Sequence, residues 1–236
     1  MSLPIFIIII AVIAEIIVLF VYITNKSRYN LILNTETSKI TTIGKGFHEV
    51  KGKVTLTGEK LTSPYSNRPC VYYRFKVEEL KSSGKSSQWR TVIDDIKNVE
   101  FGVTDISGMA LINTEGAGLK LNRDEKGKTK FLKENTPELK AAMSKYNIDT
   151  RGWLFEKSLR FEETVLCEGD ELYVMGEVTE MKGYYPVFSK QKLPFIISDK
   201  PEEELLKASK TASQIALAFL LLVPAALGLY IYLKNG

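Results

Sequence analysis

The chain has 236 residues, 44% of them hydrophobic and 25% charged, with 32 Lys and Arg against 28 Asp and Glu. A formal charge of +4 is too mild an excess to indicate nucleic acid. Two cysteines and one histidine cannot supply the roughly four ligands of a RING- or finger-type zinc site, so zinc is excluded by counting and no cofactor is expected.

In chain order, the first element is an apolar run at 3–23 whose one charge is Glu15. Its length suits a transmembrane helix, which needs about 20 residues. A cleaved signal peptide is the competing reading, but MSLP lacks a basic side chain and the run ends in VYITNK with no small-residue cleavage pattern. A second apolar run, 213–233, has no charge and carries Pro224. Glu15 is the intramembrane polar residue to watch, because ionisable groups at that depth are costly and point to function. A hydrogen bond from a neutral Glu15 to the carbonyl freed near Leu220, or to a second copy, is the expectation.

Residues 24–46 read as a polar connector and 47–200 as a β-rich domain. VTLTG (54–58) is β-branched. VYYRFKVEEL (71–80) alternates, with Val71, Tyr73, Phe75 and Val77 on one face and Tyr72, Arg74, Lys76 and Glu78 on the other, which predicts a half-buried strand. KSSGKSSQW (81–89) reads as a polar loop. NVEFGVTD (98–105) and MALINT (109–114) flank Ile106-Ser107-Gly108, a hairpin signal. Residues 121–135 are charged and poorly patterned, and read as a mobile loop. TPELKAAMSKYN (136–147) predicts a helix capped by Thr136, with Pro137 at its first position and Leu139, Met143 and Tyr146 on one face. SLRFEETVL (158–166) and ELYVMGEVTE (171–180) are strands around the turn Glu168-Gly169-Asp170, and YYPVFS (184–189) and LPFIIS (193–198) follow. A juxtamembrane helix at 201–212 leads into the second span. The expected fold is a mainly β domain, a small barrel or sandwich with one short inserted helix, flanked by two transmembrane helices.

No catalytic constellation emerges. His48 stands alone, there is no G-x-S-x-G and no P-loop, and Gly116 and Gly118 lack the third glycine of a dinucleotide fingerprint. Adjacent Asp94 and Asp95 point to opposite faces of a strand and cannot share a site. Cys70 and Cys167 either pair or remain buried thiols, the second being favoured by a cytoplasmic domain. Lys120, Arg123, Lys126, Lys128, Lys130 and Lys133 form a basic stretch that is either solvated or drawn to an anionic bilayer surface. Lys26, Arg28, Lys39, Lys200, Lys207 and Lys210 lie on the domain side of the spans against Lys234 on the far side. This places the domain in the cytoplasm by the positive-inside rule.

L-T-S-P-x-S-x-R-P-C-V-Y-Y-R (61–74) resembles the signature of the GIDE, or beside-a-membrane (BAM), domain family, found in a mitochondrial membrane-anchored ubiquitin ligase and in many prokaryotic proteins. V-x-L-T-G-E-K-L (54–61), F-x-V-T-D-x-S-G (101–108) and E-E-T-V-L-C-E-G-D-E-L-Y-V-M-G-E-V (162–178) agree in order, as do the two bracketing spans. The resemblance implies an E3 ubiquitin ligase label. The RING that carries that activity in the mitochondrial protein has no counterpart in this sequence, so no intrinsic catalysis is expected. It also implies a domain on the non-cytosolic side, opposite to the charge count.

The motif positions are Ser63, Pro64, Pro69, Cys70, Tyr73, Asp105, Gly108, Gly169, Asp170 and Gly176, structural or binding. Arg68, Tyr72 and Arg74 are the expected binding face, since aromatics and Arg dominate interface hot spots. The alternative is a packed strand whose Arg pairs with an acid such as Glu163. The expected function is a scaffold that binds an unknown membrane-associated protein at the bilayer surface. The alternatives are a component of a ubiquitin-ligase-type system and a membrane organiser that self-assembles into a homo-oligomer through its spans.

Overall fold

The computed structural model describes residues 5–83, 86–122, 124–128, 136–150 and 157–235. The chain forms two compact units, Thr37–Lys200 and a pair of terminal segments, Met1–Glu36 with Pro201–Gly236.

The terminal unit is helical. Helix α1 (Ile5–Asn34) and helix α3 (Glu202–Asn235) pack on each other, and both are long and apolar enough to cross a membrane. The polar connector expected from residue 24 is corrected: the helix continues through Asn34. No Gly or Pro occurs between Pro4 and Gly44, so nothing stops propagation once the apolar run has nucleated. Helix α3 passes through Pro224 without a break, and its first turn carries Glu202, Glu203 and Glu204, which suit a helix N-terminus.

The β unit is built on a closed barrel. Strands β1 (Gly46–Leu56), β2 (Leu61–Thr62), β3 (Pro69–Cys70), β4 (Tyr72–Ser83), β5 (Ser86–Asn98), β6 (Phe101–Thr104) and β7 (Met109–Ile112) come first. They are followed by β8 (Gly118–Lys120), β9 (Glu125–Lys128), helix α2 (Pro137–Ser144), β10 (Leu159–Leu166), β11 (Glu171–Lys182), β12 (Tyr185–Ser189) and β13 (Ile196–Ser198). The ring runs β1-β6-β7-β12-β11 and closes where β11 pairs β1 over Gly46↔Val178 to Lys53↔Glu171. All its pairs are antiparallel except β7 with β12. This is the connectivity of a five-stranded Greek-key barrel of the OB type. Closure leaves the ring without an open edge, and its interior holds Val50, Val103, Val174, Val178 and Phe188.

The long connections β1–β6 and β7–β11 together build a second lobe, the sheet β5-β4-β10-β9 with α2 on one face. Tyr73, Phe75 and Val77 pack there with Leu139, Ala142 and Met143. The expected cap is present: Thr136 Oγ1 accepts from the Leu139 amide, and Pro137 opens the helix. Two expected loops are corrected. Residues 81–83 and 86–89 belong to the long β4–β5 pairing, and 125–128 form β9 against β10. Hydrogen bonding to an existing strand orders both segments despite their polar composition. Arg123, Lys130 and Lys133 of the basic stretch lie outside the described residues. Strand β5 is an edge, and Val92 bulges from it between Thr91 and Ile93, which disfavours pairing with another chain.

Candidate functional site

Strands β2 and β3 are two residues each, Leu61 facing Cys70 and Thr62 facing Pro69, and they close a loop over Ser63–Arg68. The loop is held from inside and outside. Ser63 N–H donates to the Arg68 carbonyl at 3.0 Å, Arg68 N–H donates to Ser63 Oγ at 3.0 Å, and the Ser63 and Ser66 hydroxyls bond at 2.8 Å. Asn67 supplies the left-handed residue the turn requires, at φ 53°. Beneath the loop Glu163 of β10 is fully buried and accepts from Tyr65 N–H (2.7 Å), Ser66 N–H (3.0 Å) and Ser66 Oγ–H (2.5 Å). On the outside Lys145 Nζ donates to the Pro64 carbonyl and to Asn67 Oδ1. Tyr65 packs on Phe161 with ring centroids 4.4 Å apart. Ser63 and Pro64 are buried while Asn67 and Pro69 are exposed, so a rigid frame presents a short exposed tip.

Of the expected binding face, Arg68 and Arg74 reach the surface and Tyr72 does not. Arg68 Nη1 bonds Asp124 Oδ1 at 2.9 Å and Nη2 donates to Cys167 Sγ at 3.2 Å. Asp124 in turn accepts from the Val165 amide, which fixes the guanidinium to the β10 backbone. Arg74 makes two parallel 2.9 Å bonds to Asp94, a bidentate pair that holds its plane. The hydrogen bond from Arg74 is the largest effect on the Asp94 carboxyl and lowers its pKa. Glu163 is therefore not the partner of Arg74. Tyr72 is 6% exposed and packs with the barrel interior beside Val71, which corrects its expected placement on the outer face. Strand β4 starts over the barrel and only from Tyr73 onward lies over the second lobe, so the face opposite Tyr73 meets the barrel core at Tyr72 instead of solvent, and Val71, expected beside Tyr73, packs into the barrel as well.

Asp94 and Asp95 do face opposite ways: Asp95 Oδ2 accepts from Tyr73 and Tyr146 hydroxyls at 2.8 and 2.7 Å. Burial, and then the bond to Asp95, raise the pKa of both phenols. The remaining motif positions act as framework. Asp105 Oδ1 accepts from Ser107 and Gly108 amides and the Ser107 hydroxyl, while Oδ2 accepts from the Ile40 amide. Gly169 sits at φ 88° between β10 and β11, where Asp170 Oδ2 accepts from the Cys167 amide. Gly176 lies under the Phe195 ring, which an added Cβ would meet at 2.5 Å. Cys70 and Cys167 are free thiols, and burial pushes Cys70 up to about 11.

His48 Nε2 is buried without a hydrogen-bond partner, and among the described residues no group of three His, Cys, Asp or Glu could hold a metal ion. Glu15 has no hydrogen-bond or ion-pair partner among the described residues, so the bond expected to the Leu220 carbonyl is not made. Glu163 was missed as the key of the loop. Its signal was available, since a charged residue on the parity of Leu159, Phe161 and Val165 must find buried donors.

A family model named GIDE and described as E3 ubiquitin ligase matches residues 72–229, from the start of β4 well into α3. No curated protein and no solved structure matches.

Proposed function

The chain belongs to the GIDE family, and from that premise we propose that it is an interaction module held at a membrane surface by α1 and α3, with a protein partner docking on the 63–68 loop and the adjoining outer face of β4. The observation that carries this reading is the pre-organisation of Arg68. A surface loop locked by a buried carboxylate, a lysine and two proline positions presents a guanidinium with little conformational entropy left to lose on binding. Arg74, fixed by Asp94, extends the same presentation onto the sheet. Cys70, Cys167 and His48 are too few to ligate the zinc of a RING, so these 236 residues would act in ubiquitin transfer only together with a RING supplied from elsewhere.

The test is affinity purification from native membranes of the full chain and of an Arg68→Ala, Arg74→Ala variant. A stoichiometric partner that the variant loses supports the module. Recovery of the same partner by both proteins contradicts it. The side of the membrane on which the domain stands, cytoplasmic by the lysine and arginine count, is read by protease access to sealed vesicles of known orientation.

A second reading is favoured by Glu15, an acid in an apolar helix without a partner among the described residues. A second copy would satisfy it and make the protein a self-assembling organiser. Unchanged crosslinked oligomers in Glu15→Leu would exclude that role.

A further inference from the structure

The barrel carries a feature that the loop and its arginines do not use. A cleft of about 350 Å³ opens on its outer side, lined by Val99, Glu100, Leu111, Glu180, Lys182 and Val187 among others. It lies where the parallel pair β7 and β12 meets for only Leu111↔Val187 and Ile112↔Phe188. Ile112 and Phe188 belong to the barrel interior, so Leu111 and Val187 face outward and form an aliphatic floor.

The rim is charged in a particular way. On β11, Val178 faces Phe188 and Glu180 faces Val187, so Thr179 is an inserted residue. Without that bulge Glu180 would share the inward parity of Val178. The bulge turns it outward beside Val187 and into the cleft. Lys182 Nζ bonds both oxygens of Glu100 at 3.1 and 2.9 Å and neutralises it. Among the described residues Glu180 has no counter-ion, so of the charged groups lining the cleft it is the one left unpaired there.

We propose that this cleft is a subsite for a lysine or arginine side chain of the partner polypeptide. The aliphatic stem would lie on Leu111, Val187 and Val99, and the cationic head would meet Glu180. An anionic ligand meets the wrong sign of charge, and a sugar finds no aromatic wall to stack on among the cleft residues. The volume suits one long side chain rather than a folded element. The site rests on the reading of the chain as a protein-binding module and names what that partner must carry.

The test uses the full chain in nanodiscs, immobilised and panned against a phage-displayed library of random dodecapeptides. Lys or Arg should be enriched at one position by about fivefold over the naive library, the order expected of one charge pair at a partly exposed rim. Glu180→Gln should abolish that preference while leaving the thermal midpoint unchanged, since Glu180 is an outward, exposed side chain. Enrichment without a basic preference, a preference that survives Glu180→Gln, or no enrichment at all would each overturn the subsite. Peptides lost on Arg68→Ala but indifferent to Glu180→Gln would sink the subsite alone and leave the interaction module standing.

Discussion

Replacing Glu163 by alanine removes the carboxylate on which the 63–68 loop is hung. Three donors lose their acceptor: the Tyr65 and Ser66 amides and the Ser66 hydroxyl. Each hydrogen bond to a charged acceptor contributes about 1.5–3 kcal/mol, but these donors are only half-buried and water can reach some of them once the loop relaxes. A net cost of about 2–4 kcal/mol follows from that discount. At 2–4 °C per kcal/mol for a domain of this size, the thermal midpoint should fall by roughly 5–15 °C. Glu163→Gln keeps the volume and one acceptor but turns an NH2 toward N–H donors, so it should cost roughly half as much. The assay is thermal unfolding of the full chain in micelles together with hydrogen exchange at Tyr65 and Ser66. Those two amides should exchange at least about tenfold faster in Glu163→Ala, the factor that corresponds to 1.4 kcal/mol, and at least about fivefold faster in Glu163→Gln. A midpoint within 1 °C of the parent and unchanged exchange at both amides would refute the account of the loop.

Gly176→Ala should destabilise the barrel by about 1–3 kcal/mol, because the new methyl must displace the Phe195 ring it would meet at 2.5 Å, and a chemical-denaturation midpoint reads the loss. Asp105 has a lowered pKa: burial pushes it up, but the bonds from Ser107, Ile40 and Gly108 outweigh that. A depressed carboxyl stabilises the fold above its unfolded value of about 4 and loses that contribution as pH falls through its folded value. Exchange protection of the Ser107 and Gly108 amides should therefore hold at pH 6 and fail only below about pH 4. Protection that is lost between pH 6 and 5 would contradict the assignment. Cys70, raised to about 11 by burial, should resist iodoacetamide at pH 8 in the folded protein and react on unfolding. Equal rates in both states would show that it is not buried.

Local chemistry was legible in the sequence and long-range closure was not. The Thr136 cap, the Ile106-Ser107-Gly108 turn and the alternation of Tyr73, Phe75 and Val77 each depend on neighbours a few residues away. The pairing of β1 with β11 joins residues more than a hundred apart, and no local pattern states it. Polar segments 86–89 and 125–128 become strands only because β4 and β10 offer hydrogen-bonding edges. Tyr72 illustrates the same limit at a single residue: its parity is right, but the strand crosses from one core to another at that point, so both Tyr72 and Tyr73 are buried. Glu163 was readable as an acid on an apolar parity, yet its partners lie nearly a hundred residues away in the loop.

Docking of a partner on the 63–74 region is open to a direct test. A photo-crosslinking amino acid at Thr62, exposed beside the loop, or at Ile96, 52% exposed and opposite Arg74 in the sheet, tests it in native membranes. A docking surface should give one discrete heteromeric adduct from both positions, lost when Arg68→Ala is added. Adducts only to lipid or to a second copy of the chain, unchanged by Arg68→Ala, would contradict it and leave the loop as framework alone.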